Sequence, residues 1–141
     1  PGRLFGVSSP MVRHIPRLFA RNERVVCVFE SAAGPLAMIL VGAIGVGSIE
    51  TDWAGEITPP RGRRIRAWSY THSMPLYSAG EEMGRFNLGS TVILLWGPEA
   101  VRWRAELATG EAIKMGQLLG TYTPLPDDLG IVPIEGEPLA D

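Results

Sequence analysis

The stretch RVVCVFESAAGPLAMILV, residues 24–41, decides the fold class. It contains two runs of β-branched and other apolar residues, separated by a segment that includes Gly34 and Pro35. Apolar runs of this length, bounded by turn-forming residues, are typical of β-strands. We therefore predict strands at Arg24–Phe29 and Leu36–Val41.

The same pattern continues outward, because 17 Gly and 12 Pro cut the chain into short pieces. Further strands are predicted at Ala43–Thr51, Ile65–Tyr70, Gly84–Phe86, Thr91–Trp96 and Ala112–Met115. A helical turn is predicted at Pro16–Asn22 and a helix at Pro98–Leu107, which opens with proline. The fold is predicted to be mainly β, a β-sandwich or partly closed barrel of short strands with one or two short helices. It is assigned to residues 1–122, followed by a flexible Pro- and acid-rich tail at 123–141.

Composition narrows the function classes. The chain has 141 residues, 45% hydrophobic and 20% charged, which suits one packed domain. A net charge of −2 provides no overall field that would attract nucleic acid. The single cysteine, Cys27, excludes an internal disulfide framework and a multi-cysteine zinc site, and we predict that it is buried. The chain begins with Pro1 rather than Met, so we expect a preceding segment.

The segment GRFNLGSTVILLW at residues 84–96 is the most informative for chemistry. By itself, a Gly-Ser pair before an apolar strand predicts only a turn. The reactive alternative is attack by the Ser90 hydroxyl on the Gly89 carbonyl, since glycine permits a tight, strained backbone and easy approach. The ester so formed would break by β-elimination and leave a pyruvoyl group at residue 90. Leu88 and Thr91 flank this bond.

Several motifs carry a resemblance to a known family. They are LFARNERVV at Leu18–Val26, ILVGAIGVGSIETDWAGEITPPR at Ile39–Arg61, GEEMGRF at Gly80–Phe86, LGST before VILLW, and MGQLLG at Met115–Gly120. In this order, from about Pro1 to Thr123, the chain resembles the C-terminal half of phosphatidylserine decarboxylases of the bacterial type.

The resemblance implies a proenzyme that cuts itself between Gly89 and Ser90. Ser90 then becomes a pyruvoyl cofactor, the electron sink for converting phosphatidylserine to phosphatidylethanolamine, and neither a lysine nor a metal is needed. The implied partners are phosphatidylserine, a membrane surface and an upstream β-chain half, and a homo-oligomer stays open. The implied location is peripheral, on the cytoplasmic face of the bacterial inner membrane.

One departure from the family pattern concerns the acid–base groups. Family members carry an Asp and a His-x-x-His segment upstream of the stretch that resembles Pro1–Phe5, and this sequence has neither. A serine hydroxyl without its base is a poor nucleophile, because acid–base help is worth about 10²–10⁴-fold. We therefore predict that the 141-residue chain, alone, stays uncut or is cut slowly.

Other polar residues receive weaker assignments. Arg64 and Arg66 lie two apart, on one face of a predicted strand, and could bind a lipid headgroup together with His72. The ordinary alternatives are a solvated basic face and a loop histidine. The NERV run, with Asn22, Glu23 and Arg24, is expected to fix a turn by hydrogen bonds and an ion pair.

Two competing hypotheses remain. The run EAIKM at residues 111–115 is similar to the attachment hairpin of biotin carriers, which would make Lys114, the only lysine, a swinging arm. Alternatively, the pyruvoyl chemistry acts on another amino substrate. A weak internal echo, in which Gly80-Glu81 leads to Gly89-Ser90 and Gly110-Glu111 leads to Gly120-Thr121 about ten residues later, indicates either two related hairpins or chance.

Overall fold

The computed structural model describes residues 1–58, 64–70, 73–89 and 91–124. Two short helices and eight strands occur within them. The elements are α1 (Ser9–His14), α2 (Leu18–Arg21), β1 (Arg24–Phe29), β2 (Leu36–Val41), β3 (Ile49–Thr51), β4 (Gly55–Thr58), β5 (Gly84–Phe86), β6 (Thr91–Trp96), β7 (Val101–Trp103) and β8 (Gly120–Tyr122). The mainly β prediction with short helices is confirmed, and no closed barrel forms within the described ranges.

Three antiparallel sheets organise these strands, in the orders β1-β2-β6, β4-β3-β5 and β7-β8. In the first sheet, Cys27 pairs with Met38, which pairs with Leu94. Because paired residues share a face, the sheet has two distinct sides. Val25 and Cys27 are buried on one side, whereas Val26 and Val28 on the other side are exposed.

The core lies where the first two sheets meet. Val25, Cys27 and Leu40 from the first sheet form one cluster with Ile49 and Ile57 from the second. Phe29 meets Trp53 edge to face, with ring centroids 5.9 Å apart, at the margin of this cluster. The sheets are thus joined by apolar packing rather than by a shared strand, which matches the predicted sandwich-like arrangement.

The NERV run lies where the chain enters β1. The Asn22 side chain accepts a hydrogen bond from the Phe5 N–H at 2.8 Å and donates to the carbonyls of Phe5 and Gly42 at 2.8 and 2.9 Å. Arg24 donates to the Phe19 and Asn22 carbonyls rather than to Glu23. The predicted hydrogen bonds are therefore confirmed, whereas the ion pair was replaced by bonds to carbonyls.

The weak internal echo corresponds to a repeated tight turn. In SAGE (residues 78–81), ATGE (108–111) and KMGQ (114–117), the fourth residue donates its N–H to the first carbonyl, and its side chain accepts from the first N–H. The third residue is glycine with φ of 90°, 85° and 77°, respectively. Positive φ at this position requires glycine in practice, so the Gly-Glu part of the echo has a conformational basis, whereas Gly89 and Gly120 have no positive φ.

The helix predicted at Pro98–Leu107 was wrong. The Ala100 N–H donates to the Gly97 carbonyl at 3.3 Å, and Glu99 has a φ of 62°. Proline as the second residue and a left-handed third residue are the features of a type II turn. The turn leads into β7, which pairs with β8, and Trp103 contacts Trp96 with ring centroids 5.5 Å apart.

Three strand predictions were also wrong or too long. Only Ile49–Thr51 of the stretch predicted at Ala43–Thr51 is a strand, because Gly45 and Gly47 adopt φ of 87° and 77° and interrupt extended pairing. The described residues 65–70 and 112–115 form no ladder. The tail predicted from Thr123 lies outside the described residues, apart from Thr123 and Pro124.

Candidate cleavage site

Gly89 lies in the connection between the two main sheets. Strand β5 belongs to the second sheet and β6 to the first, and residues 87–90 link them. On one side, the Leu88 N–H donates to the Val46 carbonyl at 2.8 Å. On the other side, Thr91 pairs with Val41 in the first sheet. The link is therefore held at Leu88 and again at Thr91.

The loop before β3 forms the wall against which this link lies. The Asn87 N–H donates to the Ser48 carbonyl at 3.1 Å, which extends the β3–β5 pairing beyond the strand. A Cβ at Gly47 would come within 3.3 Å of the Asn87 Cβ. The glycines of the GVGS run thus give both the left-handed turns and the close approach that bring this loop against Asn87 and Leu88.

Side chains reinforce this contact through what we call the Glu50 network, made of Ser48, Glu50, Arg85 and Asn87. The Arg85 Nε donates to Glu50 Oε2 at 3.0 Å, and the Asn87 Nδ2 donates to Glu50 Oε1 at 3.2 Å and to Ser48 Oγ. Hydrogen bonds from Arg85 and then Asn87 hold the pKa of Glu50 below its ordinary value. Glu50 therefore stays ionised through the neutral range, as both donors require.

Gly89 itself differs from the prediction in its backbone. Its φ lies outside the left-handed region, and a Cβ added to it would meet no atom of the described residues within 4 Å, its chain neighbours aside. The residue is also exposed. Gly89 thus does not use the left-handed conformation that glycine permits. It leaves the position of a Cβ open among the described residues, in an exposed stretch of chain.

The structure describes only some of the remaining predicted site residues. Ser90 and His72 lie outside the described residues, as do Arg61 and Arg63 of the basic run. Arg66 donates to the Ile57 carbonyl at 2.6 Å, and its guanidinium lies 5.1 Å from the centre of the Trp68 ring. Arg64 is exposed. The headgroup assignment of Arg64, Arg66 and His72 stays a prediction, and Arg66 already has protein partners.

Lys114 occupies the first position of the KMGQ turn and is exposed. The strand predicted around it at Ala112–Met115 is absent there, so it is not at the tip of a paired hairpin. The described part of the chain contains no group of three or more His, Cys, Asp or Glu residues placed to hold a metal ion. Nor does any helix in that part have the length and apolar character needed to cross a bilayer.

Sequence reasoning missed the Glu50 network. Its members come from two of the quoted motifs, VGSIETDWAG and GRFNLG, which are 35 residues apart at Glu50 and Arg85. The available signal was the alternation around Phe86, which puts Arg85 and Asn87 on one face of the strand. The partner strand could not be chosen from that signal, because it depends on how β3 and β5 pair.

Comparison with known proteins decides the family. Residues 1–121 match the family model described as phosphatidylserine decarboxylase. The chain belongs to the phosphatidylserine decarboxylase family. The match includes the Gly89–Ser90 bond, the Glu50 network and Lys114, so the biotin-carrier hypothesis has no support from it.

Individual members of the phosphatidylserine decarboxylase family show how much of the protein is present. A phosphatidylserine decarboxylase proenzyme from Methylococcus capsulatus is 54% identical over 121 residues, 86% of this chain and 42% of that protein. Proenzymes of the same name from Pseudomonas putida and Nitrosococcus oceani are 52% and 56% identical, and the matches cover 42% and 40% of their lengths. The chain thus spans about two fifths of the length of these curated relatives.

Proposed function

We propose that this chain is part of a phosphatidylserine decarboxylase proenzyme that cuts itself between Gly89 and Ser90. One observation carries the proposal: within a chain of this family, the Gly-Ser bond falls in a short link that is hydrogen-bonded at Leu88 and paired at Thr91, and whose described residues 87–89 are exposed. A bond in such a link can break without dismantling either sheet.

The proposed scission is an intramolecular reaction that consumes one water molecule. The Ser90 oxygen attacks the Gly89 carbonyl carbon, and the amide C–N bond breaks as an ester forms. Removal of the Ser90 α-proton expels the Gly89 carboxylate and leaves dehydroalanine at the new terminus. Water then replaces the nitrogen of that residue, releases ammonia and leaves the pyruvoyl group.

The described residues suit a pyruvoyl group at position 90. The open space at Gly89 leaves room for a new terminus, and the pairing of Thr91 with Val41 holds the next residue in the sheet. When formed, the group supplies the carbonyl that takes up the electrons left by departing carbon dioxide. This chain's own part in catalysis is to hold that terminus at the edge of a rigid sheet.

The proposal requires groups that this chain does not supply. The base for the Ser90 hydroxyl is expected from another part of the proenzyme, since His72 and His14 are outside the motifs that carry the resemblance. The outer face of the β1-β2-β6 sheet supports such a neighbour: Val26, Val28 and Leu95 there are 55%, 62% and 54% exposed. Apolar area of this kind on a sheet face is typical of a covered surface.

Substrate and location are inferred from the relatives' names and chemistry. The relatives are named for phosphatidylserine, so we infer that this headgroup, rather than another amino substrate, is decarboxylated to phosphatidylethanolamine. A lipid substrate requires contact with a membrane surface, and we place the protein peripherally at the cytoplasmic face of the bacterial inner membrane. Arg64 is a free cationic candidate for the phosphate among the residues that the structure describes.

The test uses a chimaera in which this chain replaces the segment that it matches in the Methylococcus capsulatus proenzyme. We expect mass spectrometry to find scission between Gly89 and Ser90, and carbon dioxide to be released from phosphatidylserine vesicles. Ser90→Ala should abolish both, whereas Ser69→Ala, at an exposed serine elsewhere, should change neither. Scission of the Ser90→Ala chimaera at the same bond would rule out the proposal.

The 141-residue chain on its own gives the companion measurement. Without an upstream base, we expect scission at least about 10²-fold slower than in the chimaera. Quantitative scission of the chain alone would mean that the base lies within these residues, and the assignment of the upstream half as its source would be wrong.

A further inference from the structure

The segment before the scissile bond is fixed by side chains as well as by backbone pairing. Arg85 and Asn87 flank Phe86 and lie on the same face of the strand, where both donate to the single carboxylate of Glu50. Glu50 and Arg85 are direct partners in the β3–β5 register. The two carboxylate oxygens thus set the position of the chain on both sides of Phe86, up to two residues before Gly89.

The network is poorly placed to serve folding alone. The Arg85 and Glu50 side chains are 62% and 26% exposed, and ion pairs in such positions contribute little to stability. Glu82 is a second, longer partner of Arg85, at 3.4 Å. The core of the same sheet, centred on the fully buried Ile49, does not include these polar groups. Removal of the Glu50 network should therefore leave the folded state largely intact.

The Glu50 network determines where the link between β5 and β6 begins. Asn87 donates through its backbone to the Ser48 carbonyl and through its side chain to Ser48 Oγ and Glu50, and Leu88 follows with its bond to Val46. Gly89 is the first residue beyond these anchors. Its carbonyl position is consequently set by Asn87 and Leu88 on one side and by Thr91 on the other.

We propose that Glu50, Arg85 and Asn87 are positioning residues for self-cleavage, which hold the Gly89 carbonyl where the Ser90 hydroxyl can attack it. The inference rests on the proposed function, and it adds residues to which no role has been assigned. Within the described part of the chain, none of the three hydrogen-bonds to Gly89, so they act through the placement of Leu88 and Gly89. Intramolecular attack depends steeply on geometry, and a displacement of about 1 Å can cost about 100-fold in rate.

The experiment measures scission of the folded chimaera as a first-order rate. Glu50→Ala and Asn87→Ala are each expected to slow it by at least about tenfold, and the double variant should be little slower than either single one, because the two residues act as one unit. The matched control is Glu106→Ala, which removes a comparable exposed pair with Arg104 at 3.2 Å. It should leave the rate unchanged.

A second readout separates positioning from general destabilisation. Hydroxylamine cleaves an ester but not an amide, so it reports how much of the precursor has completed the first step. In the Glu50 and Asn87 variants the hydroxylamine-sensitive fraction should fall, while the melting temperature stays close to that of the parent. If an alanine variant fails to fold, it is replaced by Glu50→Gln or Arg85→Lys, which keep part of the hydrogen bonding. These variants should also slow scission and lower the hydroxylamine-sensitive fraction, but by less.

The outcomes are distinguishable. If the parent chimaera is never cut, the proposed function fails and the positioning role with it. If the parent is cut, and Glu50→Ala, Asn87→Ala and the double variant are cut at the same rate as the parent, only the positioning role is overturned. It is equally overturned if slower cutting merely follows a lower melting temperature, or if Glu106→Ala slows cutting as much as Glu50→Ala does.

Discussion

Two glycines close to the candidate cleavage site serve opposite purposes. Gly84 begins β5, and a Cβ there would clash with the Glu50 carbonyl oxygen in the neighbouring strand. Gly89, five residues later, has ordinary φ and open space around the position of a Cβ. The first glycine is required by packing, whereas the second is compatible with any small residue as far as the folded chain is concerned.

The pair Gly84→Ala and Gly89→Ala tests this distinction. Gly84→Ala should lower the free energy of unfolding by about 1–3 kcal/mol, because backbone atoms must move to admit the methyl group. Gly89→Ala should leave it unchanged or raise it by up to about 1 kcal/mol, since alanine restricts the unfolded chain. Urea denaturation of both variants measures the difference. A loss of stability in Gly89→Ala comparable to that in Gly84→Ala would contradict the open site described here.

At the scale of elements, the sequence predicted the three six-residue strands and the three-residue β5 correctly, but it missed β4, β7 and β8. The bounds of β1, β2, β5 and β6 agree with the prediction, because each is an uninterrupted apolar or alternating run next to turn residues. By contrast, β7 and β8, which are as short as β5, were not predicted, and they exist because they pair with one another. Pairing between distant segments leaves no mark in either segment. Gly89 and Ser90 were chosen through the family resemblance, whereas the contact between Glu50 and Arg85 depends on how β3 and β5 pair and could not be chosen in that way.

The three repeated turns make a prediction at this scale. Gly80→Ala and Gly110→Ala should each cost about 1–2 kcal/mol, because φ of 90° and 85° is unfavourable for alanine even where space is open. Gly97→Ala is the control, since it has equally open surroundings without the left-handed φ, and it should be neutral or slightly stabilising. Thermal unfolding followed by circular dichroism compares the three. Equal effects at all three positions would show that the turn conformation is not the cause.

For the whole molecule, the decisive feature is that the β1-β2-β6 sheet has apolar residues on both faces. Its inner face packs on the second sheet through Val25, Cys27 and Leu40. On its outer face, Val41 is fully buried at one end, whereas the row Val28–Ala37–Leu95 at the other end includes two side chains that are more than half exposed. The curated relatives contain additional chain beyond the matched two fifths of their length. We therefore expect that additional chain to cover the open end of this face.

Thiol labelling at Leu95 tests that expectation. A Leu95→Cys thiol should react rapidly at pH 8 in the 141-residue chain and at least about tenfold more slowly in the chimaera, where the added chain would cover it. The native thiol does not interfere, because burial raises the pKa of Cys27 to about 11. Met115→Cys, in the exposed KMGQ turn, is the control and should react equally in both proteins.

Two other results would identify a different cover. If position 95 in the chain alone is protected from labelling to an extent that grows with protein concentration, the cover is a second copy. If protection from labelling requires vesicles, the cover is the membrane. Either result, or equal reactivity in chain and chimaera, would contradict the assignment of this face to the rest of the proenzyme.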